Sequence, residues 1–547
     1  MSARSRSPRP PKRLSVEPLE AREVPATFTV TTVADVVDPL DGRLSLREAV
    51  TRANATPGPD TIRLPAGVYL MALPGGEDQN LSGDFDVTDS LTVTGAGPGR
   101  TVVDGNHLDG LFDLKGPIAV TFIGLTVRNG SNPGTGGAIV SDTARVTLDN
   151  VVAAHNVAFE GGAINIEAGT LTVRNSRLVN NSAHGGAGGA IQVDKGTVVL
   201  EGSTVTGNFA FQGGGIAANT GPVTLSHSSV KFNTASAFGG GIHAEGSAVS
   251  LIGSSVRGNL AGNGGGGIFT GATVNLTGSS MTGNRAGNDG GGIDALSVNL
   301  LGSTVAGNTA QGSGGGIAAD TAVLTASTVS DNTSHLNGGG VFAETATVTR
   351  STVSGNSADG GGGGLFADTA NLTNATVSGN VAGLGATSVG GGGVLATHGT
   401  FLNCTIVENR TFATVGGGVC SPASSDPIRV LNTIIAENFV GSHEQDVAGT
   451  FLTEGNNLLG QADDGNSSGF SPAIDLLGTS DDPLDPRLGE LAFNGGPTKT
   501  HALLAGSPAI DHGNNVGAPA VDQRGLPRIK DGNGDGRAVV DIGAFER

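Results

Sequence analysis

Between about Thr197 and Asn380 the apolar residues fall in short alternating runs separated by Gly, Asn, Asp, Ser and Thr, and the alternation itself repeats. In the unit from Gly314 to Asn332 the runs are Ile317-Ala318-Ala319, Ala322-Val323-Leu324-Thr325 and Thr328-Val329-Ser330. Period-two patterns bounded by turn formers predict strands. A helical repeat would show stripes at about 3.6-residue spacing and would not accept Gly-Gly-Gly in every unit. The phrase V-x-G-N-x-A-x-x-G-G-G-I recurs, placing asparagines at Asn208, Asn233, Asn259, Asn284, Asn308, Asn332, Asn356 and Asn380, at intervals of 25, 26, 25, 24, 24, 24 and 24 residues. A period that tight marks a solenoid. Three strands of about five residues with three turns fill about 24 residues. The predicted fold class is therefore all-β: a parallel β-helix, right-handed as parallel crossovers almost always are, with three strands per coil and roughly 24–27 residues per coil.

Each repeated residue type has a physical task in such a coil. Ile216, Ile242, Ile268, Ile293, Ile317, Val341 and Leu365 are expected to stack inward, one per coil. At about 4.8 Å per strand, a dozen coils make a rod of roughly 55–60 Å. The Asn column is expected to stack in a turn, amide over amide, as in cross-β ladders. Runs such as Gly338-Gly339-Gly340 let the backbone bend.

The chain on either side of the repeats reads differently. Arg4, Arg6, Arg9, Lys12, Arg13 and Arg22 lie among Ser and Pro without the apolar core of a signal peptide, so residues 1–26 read as a basic, disordered leader. The phrase from Arg13 to Ala26 resembles the "LEPLE-R" leader of exported planctomycete proteins, which implies export. In residues 27–80 an alternating strand precedes a helix in which Ser45 and Glu48 make a capping box and Leu46, Ala49, Val50 and Ala53 form one apolar face. Such a helix is expected to plug the open end of the solenoid. Leu44-Ser-Leu-Arg-Glu-Ala49 and the following Asn54 to Ile62 resemble the CSLREA domain, which precedes β-helices in secreted bacterial proteins. Residues 81–440 are assigned to the β-helix itself, whose Gly-Gly-Ile phrase resembles repeats of chlamydial polymorphic outer membrane proteins. Pectate-lyase-like enzymes share the architecture, and fold alone does not decide between such functions. Residues 441–547 break the period. Their motifs Gly455-Asn-Asn-Leu-Leu-Gly460, Gly506-Ser-Pro-Ala-Ile-Asp511, Asp522-Gln-Arg-Gly and Asp541-Ile-Gly-Ala-Phe-Glu546 resemble the C-terminal region of the choice-of-anchor Q family of bacterial surface proteins.

Net charge is −19, and part of the basic count lies in the leader. Such a body repels nucleic acid and anionic lipid. No run of 18 apolar residues offers a membrane span. Alternation points Cys404 inward and Cys420 outward, against a disulfide between them.

Candidate chemistry is sparse. Three residues after the inward aliphatic stands an acid in many coils: Asp142, Glu167, Asp194, Glu245, Asp320, Glu344 and Asp368. Stacked about 5 Å apart, such carboxylates repel unless water or a cation intervenes. Calcium could bridge Asp320, Glu344 and Asp368; solvated turn acids are the alternative. Asp531-Gly-Asn-Gly-Asp-Gly copies the front of an EF-hand loop, so Asp531, Asn533, Asp535 and the displaced Asp541 are a second calcium candidate, with a plain turn as its rival. Phe342, Phe366 and Leu395 form an outward apolar stripe, either covered by the C-terminal region or free to bind a partner. A lyase would need an Arg or Lys base beside its acids, yet Arg285, Arg350 and Arg410 do not cluster. His155, His184, His227, His243 and His335 lack metal spacing. The expectation is an exported, non-catalytic, adhesin-like surface rod that binds a polysaccharide, an envelope component or a protein. A calcium-dependent polysaccharide lyase and a purely structural surface protein are the alternatives.

Overall fold

The structure, a computed structural model, describes residues 25–76, 79–385, 390–422, 426–463 and 465–547. Arg4 to Arg22 of the basic leader lie outside them. The chain winds into a parallel β-helix of about 15 turns. The coils build a long face, a middle face and a short face. The long face is one strand in most central coils and is split in two in others, as at Ile216–Thr220 and Val223–Ser226. Strands pair in register with the next coil: Ile317 with Val341 and Val341 with Leu365.

The division of a coil differs from the sequence expectation. Ile317–Thr325 is a single strand, Thr328–Ser330 is the second, and Thr333–Ser334, beyond Asn332, is the third. The two runs expected to be separate strands flank Asp320, and pairing resumes in the same register on both sides of it, with Ala319 opposite Ala343 and Thr321 opposite Thr345. No glycine or Pro interrupts the backbone there, so the long strand continues past Asp320.

The rod is also longer than a dozen coils, roughly 70 Å at strand spacing. Parallel stacking begins before residue 81, since Asp60–Arg63 pairs with both Thr27–Thr29 and Leu91–Thr94. It continues beyond residue 440, to the pairing of Leu458–Leu459 with Leu476–Leu477. These outer coils lack the Gly-Gly-Gly phrase and so do not announce themselves. The helix Leu46–Ala55, with the Ser45–Glu48 capping box formed, packs against the first strands. Arg47 fixes it there, donating to Asp35 at 2.7 Å and to the carbonyls of Ser82, Gly83 and Asp84.

Inside the rod, Ile216, Ile242, Ile268, Ile293, Ile317, Val341 and Leu365 are fully buried. Two polar columns run beside this aliphatic stack. In one, the Nδ2 of Asn308 donates to Asn332 Oδ1 (2.9 Å) and to the Met281 carbonyl (3.0 Å), while the Asn308 backbone N–H donates to that same Asn332 Oδ1 (3.0 Å). The same bonds join every step from Asn208 to Asn380. They extend back through Asn181 to Asn156 and on through Asn409 to Asn438. The last rung is Asp446, whose Oδ1 accepts both Asn438 donors and whose Oδ2 accepts the Gln461 N–H. A carboxylate fits this end because it accepts twice and has no amide N–H left over. In the other column, serines from Ser176 to Ser351 accept the backbone N–H of the preceding coil's column residue, as Ser303 N–H donates to Ser327 Oγ (3.1 Å). It closes through Thr433 and Asn457 on Asp475.

Residues 478–547 return along the rod instead of lengthening it, and carry antiparallel bridges such as Ala492 to Thr500 and Lys530 to Val539. They lie on the outer side of the middle face. There Gln523 bonds Thr352, Thr376 and Thr498, His501 Nε2 meets the Ser378 hydroxyl at 2.8 Å, and Arg528 reaches Asn374 Oδ1 at 2.7 Å. A second apolar core joins Val407, Ile434 and Leu458 of the rod to Leu503, Ile510, Ile542 and Phe545 of the returning segment.

Two outcomes follow from the columns. Asn332→Ala strips the acceptor from two buried donors of Asn308, an expected cost of about 3 kcal/mol, whereas Thr347→Ala on the outer face should change stability by less than about 0.5 kcal/mol. Urea unfolding of both variants checks this, and equal midpoints would contradict a structural amide column. Burial pushes the Asp446 carboxyl up to about 8 against the pull of its N–H partners. A raised acid pKa gives stability that is present at low pH and lost as pH rises through the folded value. Melting temperature should therefore fall between about pH 4 and pH 8 in the wild type and level off above that. Asp446→Asn should be less stable at pH 7, because its amide meets the Gln461 N–H, yet flatter across that interval.

Candidate functional site

The acids singled out by the sequence are spread along the rod. Asp142, Glu167, Glu245, Asp320, Glu344 and Asp368 are exposed on the long face, Asp142 and Glu245 in turns between two strands and the others within long strands. The last three occupy equivalent positions in successive coils. Asp194 is half-buried and accepts from Gln192 Nε2 (2.6 Å) and Asn219 Nδ2 (2.8 Å). Among the described residues no three His, Cys, Asp or Glu side chains group to hold a metal ion. In-register stacking lines Asp320, Glu344 and Asp368, the column offered for calcium to bridge, in one row of like charges.

In the Asp531 loop, Asp531 accepts from the N–H groups of Gly534, Asp535 and Gly536, and Asn533 accepts from that of Asp535. Asp541 does not join Asp531, Asn533 and Asp535 as a fourth ligand. It is buried, it accepts the N–H groups of Asp511 (2.8 Å) and Arg547 (2.7 Å), and burial pushes its carboxyl to about 6. The loop is instead held by Asp511, which accepts from Gly532 and Asn533. Asp511 belongs to one of the C-terminal motifs, and nothing in its spacing pointed to that role.

The stripe Phe342, Phe366 and Leu395 is not an open surface. Leu395 is buried, Phe342 and Phe366 are half-buried, and these two rings sit 5.3 Å apart. The returning C-terminal segment does not cover them, because it lies on the middle face. The two rings lie against one another, and a Cβ added at Gly338 or Gly391 in the turns before these strands would strike the Cβ of Phe342 or Leu395. Both cysteines are free; burial drives the Cys404 thiol to about 12.

At the N-terminal end, burial and then the neighbouring Asp109, Asp86 and Asp113 push the Asp84 carboxyl to about 7. Lys115 Nζ lies 2.8 Å from Asp86 Oδ1 and 3.6 Å from Asp113 Oδ2. A carboxyl titrating near neutrality can exchange protons at ordinary pH. Asp294 is likewise raised to about 7, by burial and by Asp289.

A largely polar surface remains on the second half of the long face. Its outward column runs Thr224, Ser250, Asn275 and Asn299, is interrupted by Val323, and resumes with Thr347, Asn371 and Thr400. Asn299 Nδ2 donates to Asn275 Oδ1 at 2.9 Å. Two open clefts cut into this face. One, of about 320 Å³, is lined by Thr369, Asn371, His398, Gly399, Thr400, Asp426 and Arg429. The other, of about 410 Å³, is lined by Ser90, Pro117, Ile118, Ala119, Thr143, Arg145, Gly169 and Thr170. In the first, His398 Nδ1 bonds the Asp426 carbonyl (2.8 Å) and Arg429 pairs with Glu454 (3.2 Å). Each cleft contains a strand glycine at positive φ, Gly169 at 144° and Gly399 at 138°. A Cβ there would strike the carbonyl of the adjacent coil at 2.3 or 1.8 Å. Sequence reasoning missed both clefts; an isolated glycine inside a strand pattern was the available signal.

No family model matches the chain, and no curated protein matches it. Among solved structures it is similar to the A-module of the mannuronan C-5 epimerase AlgE6 of Azotobacter vinelandii, with 15% identity over 68% of this chain and 99% of that one and a TM-score of 0.33. It is also similar to pectate lyase Pel9A, with 14% identity over 95% of this chain and 96% of that one and a TM-score of 0.19.

Proposed function

We propose that this chain is an exported, non-catalytic binding rod whose long face takes an extended polar polymer, a polysaccharide of a cell envelope or its surroundings. The reading is carried by the two open clefts on the Thr/Asn face, where hydroxyl, amide, imidazole and guanidinium groups line an otherwise flat sheet. A polymer laid along the rod meets a new hydroxyl or amide at each strand spacing, about 4.8 Å. Each such contact is weak, but contacts on one chain add through effective concentration. Arg145 and Arg429 add charge-assisted donors where the face opens, and such donors are the stronger hydrogen-bond formers. The leader phrase and the acidic body support export and a role at a surface, without nucleic acid as partner.

A second reading, cleavage of the same polymer, draws on the acidic cluster at Asp84, whose carboxyl burial and the neighbouring Asp109, Asp86 and Asp113 push to about 7, with Lys115 paired to Asp86 and Asp113. One experiment separates the two. The purified chain is incubated with a panel of insoluble and soluble polysaccharides, and both retention and new reducing or unsaturated ends are measured. Retention without products, weakened at least fivefold in His398→Ala/Arg429→Ala, is the expected result. New chain ends that vanish in Asp84→Asn would replace the binding rod with an enzyme. Absence of retention on every polymer would refute the polysaccharide reading.

A further inference from the structure

The chain has no Trp and one Tyr, Tyr69, which is buried. Any aromatic surface must therefore be made of Phe, and one exists far from the long-face clefts. Phe159, Phe209, Phe211 and Phe232 are 50%, 43%, 51% and 51% exposed, and Leu260 beside them is 44% exposed. The short face gathers them. Phe209 pairs with Thr234 and Thr234 with Leu260 on consecutive strands, and Phe211 follows two residues after Phe209 on the same side. Phe232 stands at the corner where the middle face turns into the short one, between Lys231 and the column residue Asn233. Glycine in the next coil makes room for the rings. A Cβ at Gly185 would lie 2.2 Å from the Phe159 ring, and one at Gly258 would lie 2.7 Å from the Phe232 ring. The rings are thus laid across neighbouring coils and do not stand off the rod.

The rim of this patch is cationic in a protein of net charge −19. Lys231 and Arg257 are register partners on the middle face, and Arg285 pairs with Leu260 on the short face. The Arg257 guanidinium sits 5.2 Å from the Phe232 ring centre, a cation–π contact that holds the charge at the edge of the patch. The acid Glu160 adjoins the patch, and burial and then Asp194 raise its pKa. Exposed aromatic surface of this size marks an interaction site, and its basic border selects an anionic occupant.

We propose that this corner, built on Phe159, Phe209, Phe211 and Phe232 with Lys231, Arg257 and Arg285, docks a polyanionic glycan such as a polyuronate. The C–H faces of the sugar rings lie on the phenylalanines, and the carboxylates meet the basic side chains. The proposal rests on the polysaccharide reading above and names a second contact surface and the charge of the polymer. Stacking supplies a sequence-tolerant apolar contact, while the cations make binding salt-dependent.

The test uses the full chain and two soluble probes, a polyuronate and the same polymer with its carboxyls reduced to neutral alcohols, in calorimetric titrations at low and high salt. Wild type is expected to bind the polyuronate at least tenfold more tightly than the reduced polymer. Phe209→Ser/Phe211→Ser/Phe232→Ser, exposed positions whose melting temperature is checked first, should lose at least tenfold. Lys231→Ala/Arg257→Ala should lose affinity at low salt and little at high salt. Equal binding of both polymers, or undiminished polyuronate binding by the Phe variant, overturns the proposal. If that binding is instead lost in His398→Ala/Arg429→Ala alone, the long-face reading stands and this one falls. A wild-type dimer that the Phe substitutions convert to monomer would assign the patch to a second copy of the chain and likewise overturn it.

Discussion

Every coil of this protein lies in register on a nearly identical coil, so any group buried at a turn must be satisfied by its own kind one strand away. An amide meets that demand because it carries a donor and an acceptor on one planar group. Each asparagine Oδ1 takes a backbone N–H and an Nδ2 from the coil before, and its own Nδ2 passes the pattern on. The serine column solves the same problem with a shorter side chain, donating back to a carbonyl two residues earlier, as Ser303 does to Leu301. Between these columns the aliphatic stack packs without polar interruption. A repeating hydrogen-bond demand, once met, leaves the outer residues of each coil free to vary.

That division of labour explains what could be read in advance. The inward aliphatics and the asparagines recur in every central unit, so period, strand count per coil and the amide column stand out in the sequence. The outer coils keep the fold with different turn residues and were undercounted. Asp320 reads as a turn former between two runs, yet it only marks the exposed point of one long strand. The C-terminal segment is the clearest case. Thr352 and Thr376 sit in the same T-V-S pattern as Thr328, but the first two are buried beneath Gln523 while Thr328 remains partly open. Identical local sequence cannot encode what covers it. The candidate site was less legible still, because each cleft holds an isolated strand glycine at positive φ and the Phe corner draws its four rings from three different coils.

The aperiodic motifs near the C-terminus clasp the rod. Ser507 donates to the Pro486 carbonyl, Asp511 holds the Asp531 loop, and Arg528 ties Glu546 to Asn374. Arg524 lies 3.7 Å from the Phe545 ring centre and pairs with Asp522. Buried ion pairs of this kind add little net stability, but loss of one partner is costly. They fix where the segment docks more than how strongly. The returning chain thereby covers the middle face of the later coils and leaves the long face open.

The amide column has a direction. Its first acceptor, Asn156, receives the Gly130 backbone N–H, and its last, Asp446, is a carboxylate that passes nothing on. Only these two ends are chemically particular; every rung between them presents the same donor below and the same acceptor above. A gene that duplicates or drops one 24-residue unit in the regular stretch would hand the next coil an unchanged interface. Length is therefore a free variable in this architecture, and the reach of the rod can be retuned across generations without redesigning either terminus.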